Sequence, residues 1–233
     1  MKDLIEPTNR IIKLFADAWN SANDSDRKER INDIIIGLGI DSKHFDDIYS
    51  IVKKGGTDDK KIEEVFKNYG NKKEDDVLYK ILILDKLYST RIVDPISIAK
   101  GILNIDDIDN RLLKEEVDES LVEEIAKCGK RREYSFATKY CSWSNKKYVI
   151  YDNIIGKLLS SYNKRYNFYE CDFSLQREVK KCSLKRYKDF LNVYRKFMDV
   201  YNLWTSDEDY KKVDIFLWTY GKIQNIIKMN EFK

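Results

Sequence analysis

Proline and histidine are nearly absent from this chain of 233 residues, which holds two prolines, Pro7 and Pro95, and one histidine, His44. No pyrrolidine ring interrupts a helix between Ile96 and Lys233, and so long a permissive stretch favours an all-α fold. A single imidazole excludes two-histidine zinc sites and histidine-rich iron sites, which need more than one such ligand. His44 also sits in Asp41-Ser42-Lys43-His44-Phe45-Asp46-Asp47, an acidic helix start ill suited to a nucleophile–base triad. Catalysis would therefore fall to carboxylates, lysines or tyrosines. The four cysteines, Cys128, Cys141, Cys171 and Cys182, include no CxxC pair, so free thiols are expected rather than a metal or redox site. The opening residues lack the apolar core of a signal peptide, and no run approaches the ~20 apolar residues of a membrane span. A cytoplasmic monomer with no membrane association and no cofactor is expected. No P-loop, dinucleotide fingerprint or internal repeat is visible.

What is abundant is charge, and it is unevenly placed. Residues 1–129 carry 21 basic and 28 acidic side chains, a net of −7, whereas residues 130–233 carry 22 and 12, a net of +10. The second stretch also holds 12 of the 16 tyrosines and three of the four tryptophans. Cations mixed with flat rings suit phosphates and unstacked bases.

Apolar spacing and capping residues predict the helices. Ser25 precedes a run with Ile31, Ile34, Ile35 and Leu38 on one side, and Gly37 and Gly39 mark its end. Asp41 can cap a helix carrying Phe45, Ile48 and Val52, and Thr57 opens another with Ile62, Val65 and Phe66. The polar stretch 71–76 reads as a hinge or loop without an apolar anchor. Beyond it, Val77, Leu78, Ile81, Leu82 and Leu87 form an apolar helix, and Asp94 followed by Pro95 starts a further one. Tyr187, Phe190, Leu191, Tyr194, Phe197, Met198 and Tyr201 recur at helical spacing as a core stripe. The expectation is a multi-helix all-α body of two closely packed helical subdomains, an acidic one over residues 1–70 and a second over residues 71–233.

The most informative stretch runs from Leu121 to Leu159. Leu121 to Cys128 reads as a helix, Gly129-Lys130-Arg131-Arg132 as a basic turn, Tyr134 to Trp143 as a second helix, and Asn145 to Tyr151 as a linker that reaches Asp152 at the start of a third. The turn would point backbone N–H groups and the positive end of the second helix at a phosphate, with Lys130, Arg131 and Arg132 as added cations. A plain basic turn between helices is the alternative. Asp152 also stands where an N-cap would meet the N–H of Ile154 or Ile155.

This order resembles the helix-hairpin-helix DNA glycosylase superfamily, particularly its 8-oxoguanine glycosylase-like branch. Ser135-Phe136-Ala137-Thr138-Lys139-Tyr140-Cys141-Ser142-Trp143, then Tyr151-Asp152, then Asp214-Ile215-Phe216-Leu217-Trp218-Thr219-Tyr220-Gly221-Lys222, are similar to a bacterial group of such proteins linked to anti-phage defence. The resemblance extends over roughly residues 77–222.

The resemblance implies a glycosylase-like core, double-stranded DNA as the partner, and Asp152 as the catalytic carboxylate. Such a carboxylate stabilises the oxocarbenium character of the sugar or orients the attacking water. Bifunctional relatives use a lysine near the mouth of the second helix, and here that place falls near Arg132 or Glu133, neither of which offers an amine. Lys139, about two turns further on, is the second catalytic candidate. A flipped base needs flat partners, and Phe136, Tyr140, Trp143 and Tyr151 are candidates for that pocket. Asp214, Trp218 and Lys222 follow at four-residue steps and share one helix face. The implied function is a monofunctional DNA glycosylase acting on a modified base, with modified phage DNA as a substrate. A catalytically inactive DNA-binding protein of the same fold, or a helical interaction module, remains the alternative.

Overall fold

A computed structural model describes residues 4–55, 59–167, 169, 186–203 and 209–231. Among these residues the chain is all-α, with no strand. The first helices are α1 (Asn9–Trp19), α2 (Asp24–Gly37), α3 (Phe45–Gly55) after a short 3-10 turn (Ser42–His44), and α4 (Asp59–Asn68). They are followed by α5 (Glu74–Tyr88), α6 (Pro95–Leu103), α7 (Ile108–Leu113), α8 (Glu119–Ala126), α9 (Tyr134–Ser144), α10 (Asn153–Tyr166), α11 (Tyr187–Val200) and α12 (Asp209–Glu231). No helix among the described residues is long and apolar enough to cross a membrane.

Side-chain caps start many of these helices, because the first N–H groups of a helix have no partner of their own. Thr8 caps α1, Asp118 caps α8, and Asp94 accepts from Ser97 N with Pro95 in the first turn of α6. Asn23, rather than the expected Ser25, caps α2 by accepting from Asp26 N at 2.9 Å. Asp41 caps the 3-10 turn ahead of α3. The expected start at Thr57 lies outside the described residues. Gly39, with φ of +59°, supplies the left-handed residue after α2.

Two compact units divide the chain, and not at residue 70. One comprises Met1–Thr57, Asp152–Tyr169 and Val193–Lys233, the other Asp58–Tyr151 and Glu170–Asn192. Residues 1–57 are therefore not a subdomain of their own, because α1 and α3 bury their apolar faces against α12, from the far end of the sequence. Counted by unit, the charge asymmetry disappears: the first unit carries 19 basic and 17 acidic residues and the second 24 and 23.

In the first unit α1 packs on α2, α3 and α12, and α10 packs on α12. Phe15 meets Phe216 edge to face, and Tyr162 of α10 meets Phe197 of α11. The segment before α1 is fixed by tyrosines. Ile5 N donates to Tyr220 Oη at 3.1 Å, and Tyr162 Oη donates to Ile5 O at 2.8 Å. Gly221 lets α12 approach α10, since a Cβ there would lie 2.4 Å from Ile154 Cγ2.

In the second unit α5 packs on α4, α6 and α9, and α8 on α9. Residues 145–151 run between α9 and α10 without a strand partner, and side chains satisfy the buried backbone instead. Val149 N donates to Tyr187 Oη at 2.8 Å, Tyr151 N to Thr138 Oγ1 at 3.0 Å, and Ser135 Oγ to Tyr151 O at 3.0 Å. The expected hinge over residues 71–76 is shorter and better anchored than its composition implies. The fifth helix already begins at Glu74, and Asn71 is buried.

Candidate functional site

The sequence-predicted residues fall on both units, with the division between Tyr151 and Asp152. The second unit holds the hairpin and α9; the first holds Asp152, α10 and α12.

The hairpin forms as a tight turn between α8 and α9, closed by Glu133 N donating to Ala126 O at 2.8 Å. Gly129 fits a tight space and has no unusual φ: a Cβ there would lie 3.0 Å from Ile98 Cγ1, close enough that the isoleucine would have to give way. The three cations of the turn all meet carboxylates. Lys130 Nζ lies 3.1 Å from Asp94, Arg131 pairs with Glu133, and Arg132 reaches Glu123 at 2.7 Å while lying 4.4 Å over the Tyr134 ring. Hydrogen bonds from the Ser97 N–H and hydroxyl, together with Lys130, hold the Asp94 carboxyl at about 2. Arg131 also donates to Arg91 O, which ties the turn to the segment before α6. Exposed ion pairs of this kind are screened by solvent and hold only weakly. Glu133 occupies the N-cap position of α9 without making a side-chain cap hydrogen bond.

Within α9 the expected base-stacking rings divide by burial. Phe136 and Tyr140 are core residues, packed on each other, with Tyr140 edge-on to Phe66. Tyr151 is walled in by Tyr134 and Phe190. A ring covered on both faces has none left for a base, so these three serve packing. Trp143 keeps part of its surface in solvent and donates from Nε1 to Tyr88 Oη at 3.1 Å. Lys139 is buried; its Nζ is 2.6 Å from Ser135 Oγ and lies over the Tyr88 ring.

In the first unit Asp152 is half-buried at the mouth of α10, and its Oδ1 accepts from Ile154 N at 2.6 Å. Capping fixes one carboxylate oxygen against the helix. Ile154 is also the residue that touches Gly221, so the turn of α12 bearing Trp218 and Lys222 runs beside the first turn of α10. Asp214, Trp218 and Lys222 are half-exposed positions among buried neighbours on α12. Lys222 Nζ lies 5.2 Å over the Trp218 ring, whose other contact is edge-to-face with Trp19. The structure thus brings Asp152 into the same unit as the α12 face, on adjoining helices.

A buried polar network in the second unit had no sequence signal. Asn71 Oδ1 accepts from Lys80 Nζ at 2.9 Å and from Tyr140 Oη at 2.5 Å, while Asn71 Nδ2 donates to Asp109 at 2.6 Å. Phe66 and Tyr140 offer ring faces to the ammonium at 5.1 and 5.7 Å. Lys80 looks like an ordinary polar position of an amphipathic helix, and only the tertiary fold shows that it is enclosed.

Neither of the two described thiols carries a reactive signature. Burial pushes Cys128 up to about 11 and raises the buried Cys141 further. Cys171 and Cys182 lie outside the described residues.

An uncharacterized protein of Haemophilus influenzae is 36% identical over 157 residues, covering 63% of this chain. The match spans 66% of that relative's length, just under two thirds. No solved structure matches the chain significantly. The model of the HI_0787_N family, described as an N-terminal domain, matches residues 30–148, just over half of the chain, and the chain belongs to that family.

Proposed function

We propose that this protein is a monofunctional DNA glycosylase that hydrolyses the bond between a flipped, modified base and its deoxyribose. The observation that carries the reading is the carboxylate of Asp152, half-buried and oriented by a helix N-terminus, in the order helix, basic turn, helix, linker, carboxylate. That order is the one in which the resembled superfamily places its catalytic aspartate. Positive charge developing at the sugar is stabilised by such a carboxylate, whose position the cap fixes in advance. Water adds its oxygen to C1′, the N-glycosidic electron pair leaves with the base, and the water's protons are shared out between the carboxylate, solvent and the base.

Double-stranded DNA is the partner in this reading, with modified phage DNA as the substrate. The α8–α9 turn meets a phosphate by exchanging its weak carboxylate pairs for phosphate oxygens. Trp218, half-exposed beside Lys222 on the helix next to α10, offers a ring to the extruded base. Lys139, enclosed and bonded to Ser135, supports hydrolysis without a covalent lysine adduct.

The test compares wild type with Asp152→Asn on a panel of duplexes carrying different base modifications, phage DNA included, by free base and abasic sites. Asparagine caps a helix as well as aspartate does, so the variant keeps its melting temperature and DNA affinity while base release falls by a factor on the order of 100 or more. Oδ1 of Asp152 already has a structural task in the cap, and this favours a second reading, a DNA-binding protein without catalysis. DNA binding by wild type with no base released from any member of the panel would establish the second reading.

A further inference from the structure

The hairpin cations are all paired, which directs attention to cations that are not. On α10 they stand in a line. Asn153, Lys157, Ser160 and Lys164 are exposed and follow at steps of four, three and four, so they share one narrow face. The opposite face, Ile155, Leu158, Leu159 and Tyr162, is buried. Among the described residues, neither Lys157 nor Lys164 has a carboxylate within ion-pair distance. The helix contains no aspartate or glutamate at all, in a chain where 36% of residues are charged and the signs nearly balance. The helix dipole accounts for Lys164 and Arg165 near the C-terminal end. It does not account for Lys157 in the second turn, nor for the lack of acid in a first turn where acidic residues are favoured.

We infer that this face of α10 is a track for one phosphate strand of duplex DNA, with Lys157 and Lys164 on phosphates. The inference rests on the glycosylase reading and deepens it by naming the surface that holds the substrate. Charge complementarity selects the occupant: the face carries two unpaired cations and no anion. Lys157 and Lys164 are about 10 Å apart along the helix axis, far enough for their side chains to reach separate phosphates of one strand. Asp152 caps the same helix, so a strand held on this track runs toward the carboxylate that would act on its sugar.

The experiment measures the affinity of the full chain for a fluorescent duplex of about 25 base pairs across a salt series. Wild type is compared with Lys157→Gln/Lys164→Gln, with the charge reversal Lys157→Glu/Lys164→Glu, and with Lys60→Gln/Lys67→Gln, exposed at the same spacing on α4, as a control for cations elsewhere. Each phosphate contact contributes about 0.9 to the slope of log affinity against log salt. The glutamine pair lowers the slope by about 2 and weakens binding by a factor of roughly 50 at 0.1 M salt. The reversal weakens it further, while the control stays near wild type. All four substituted positions are exposed, and circular dichroism checks that each variant keeps its helix content. An unchanged slope in both Lys157/Lys164 variants, with wild type still binding DNA and releasing base, overturns the track and leaves the glycosylase reading standing. Wild type that binds anionic vesicles and shows no salt-sensitive binding to DNA overturns both.

Discussion

At the scale of single residues, Lys80 carries the clearest physical consequence. Loss of hydration brings its amine down to about 8, against the opposing pull of Asp109 and Asp76, and the side chain is only 2% exposed. The folded chain releases this proton near pH 8, whereas an unfolded lysine holds it to about 10.4. Between those limits the unfolded state binds more protons, so stability rises with pH, by about 3 kcal/mol across the window. Lys80→Met removes the buried charge and with it that rise. Urea midpoints of both proteins from pH 7 to 10 are expected to show the methionine variant ahead at pH 7 and its lead shrinking toward pH 10. A constant gap would mean that the amine does not titrate in this range. Asp152 poses a different residue-scale question, because one carboxylate both caps α10 and, in the proposed function, faces the sugar. Asp152→Ala removes both roles and costs about 1 kcal/mol of stability, while Asp152→Asn removes only the second. Thermal melts of the two variants separate the roles, and an Asn variant as unstable as the Ala variant would show that asparagine does not replace the cap.

At the scale of elements, the contact between α10 and α12 depends on Gly221. A methyl group there would sit 2.4 Å from Ile154 Cγ2, and overpacking of this kind costs about 1–3 kcal/mol. Gly221→Ala is expected to destabilise by that amount despite the better helix propensity of alanine. In an Ile154→Ala background the obstructing methyl is gone, and the same substitution becomes neutral or stabilising. A double-mutant cycle on unfolding free energies reads this coupling directly, and additive effects would show that the helices relax apart without strain. Ile154 also gives its N–H to Asp152, so Gly221→Ala shifts the mouth of α10 and, on the proposed function, slows base release.

At the scale of the whole molecule, the first unit is assembled from three stretches of sequence. The last helix, α12, packs against α1, α3 and α10, so a chain ending at residue 203 leaves their apolar faces uncovered. Hydrogen exchange is expected to show protection lost in those three helices and kept in α8 and α9, whose packing is within the second unit. Equal loss in all five would show that the second unit does not hold by itself. Local patterns made the helices legible in advance. The Asp94–Pro95 start, the stripe from Tyr187 to Tyr201, the turn after α8 and the cap at Asp152 each depend on residues within a few positions of one another. Partition into units depends on which distant faces meet, and spacing along a chain does not encode that. Hence the expected boundary at residue 70 fails, Asn71 is an anchor rather than part of a free loop, and the −7 and +10 halves of the sequence fold into two units of nearly equal charge. The candidate site divides in the same way. By itself the sequence determined the all-α class and placed Asp152 at a helix start, because caps and apolar periodicity are short-range effects. Only the tertiary structure decided that Phe136, Tyr140 and Tyr151 are enclosed, that the hairpin cations are paired, and that Lys157 and Lys164 have no carboxylate partner among the described residues, because burial and ion pairing are properties of neighbours brought together from distant positions.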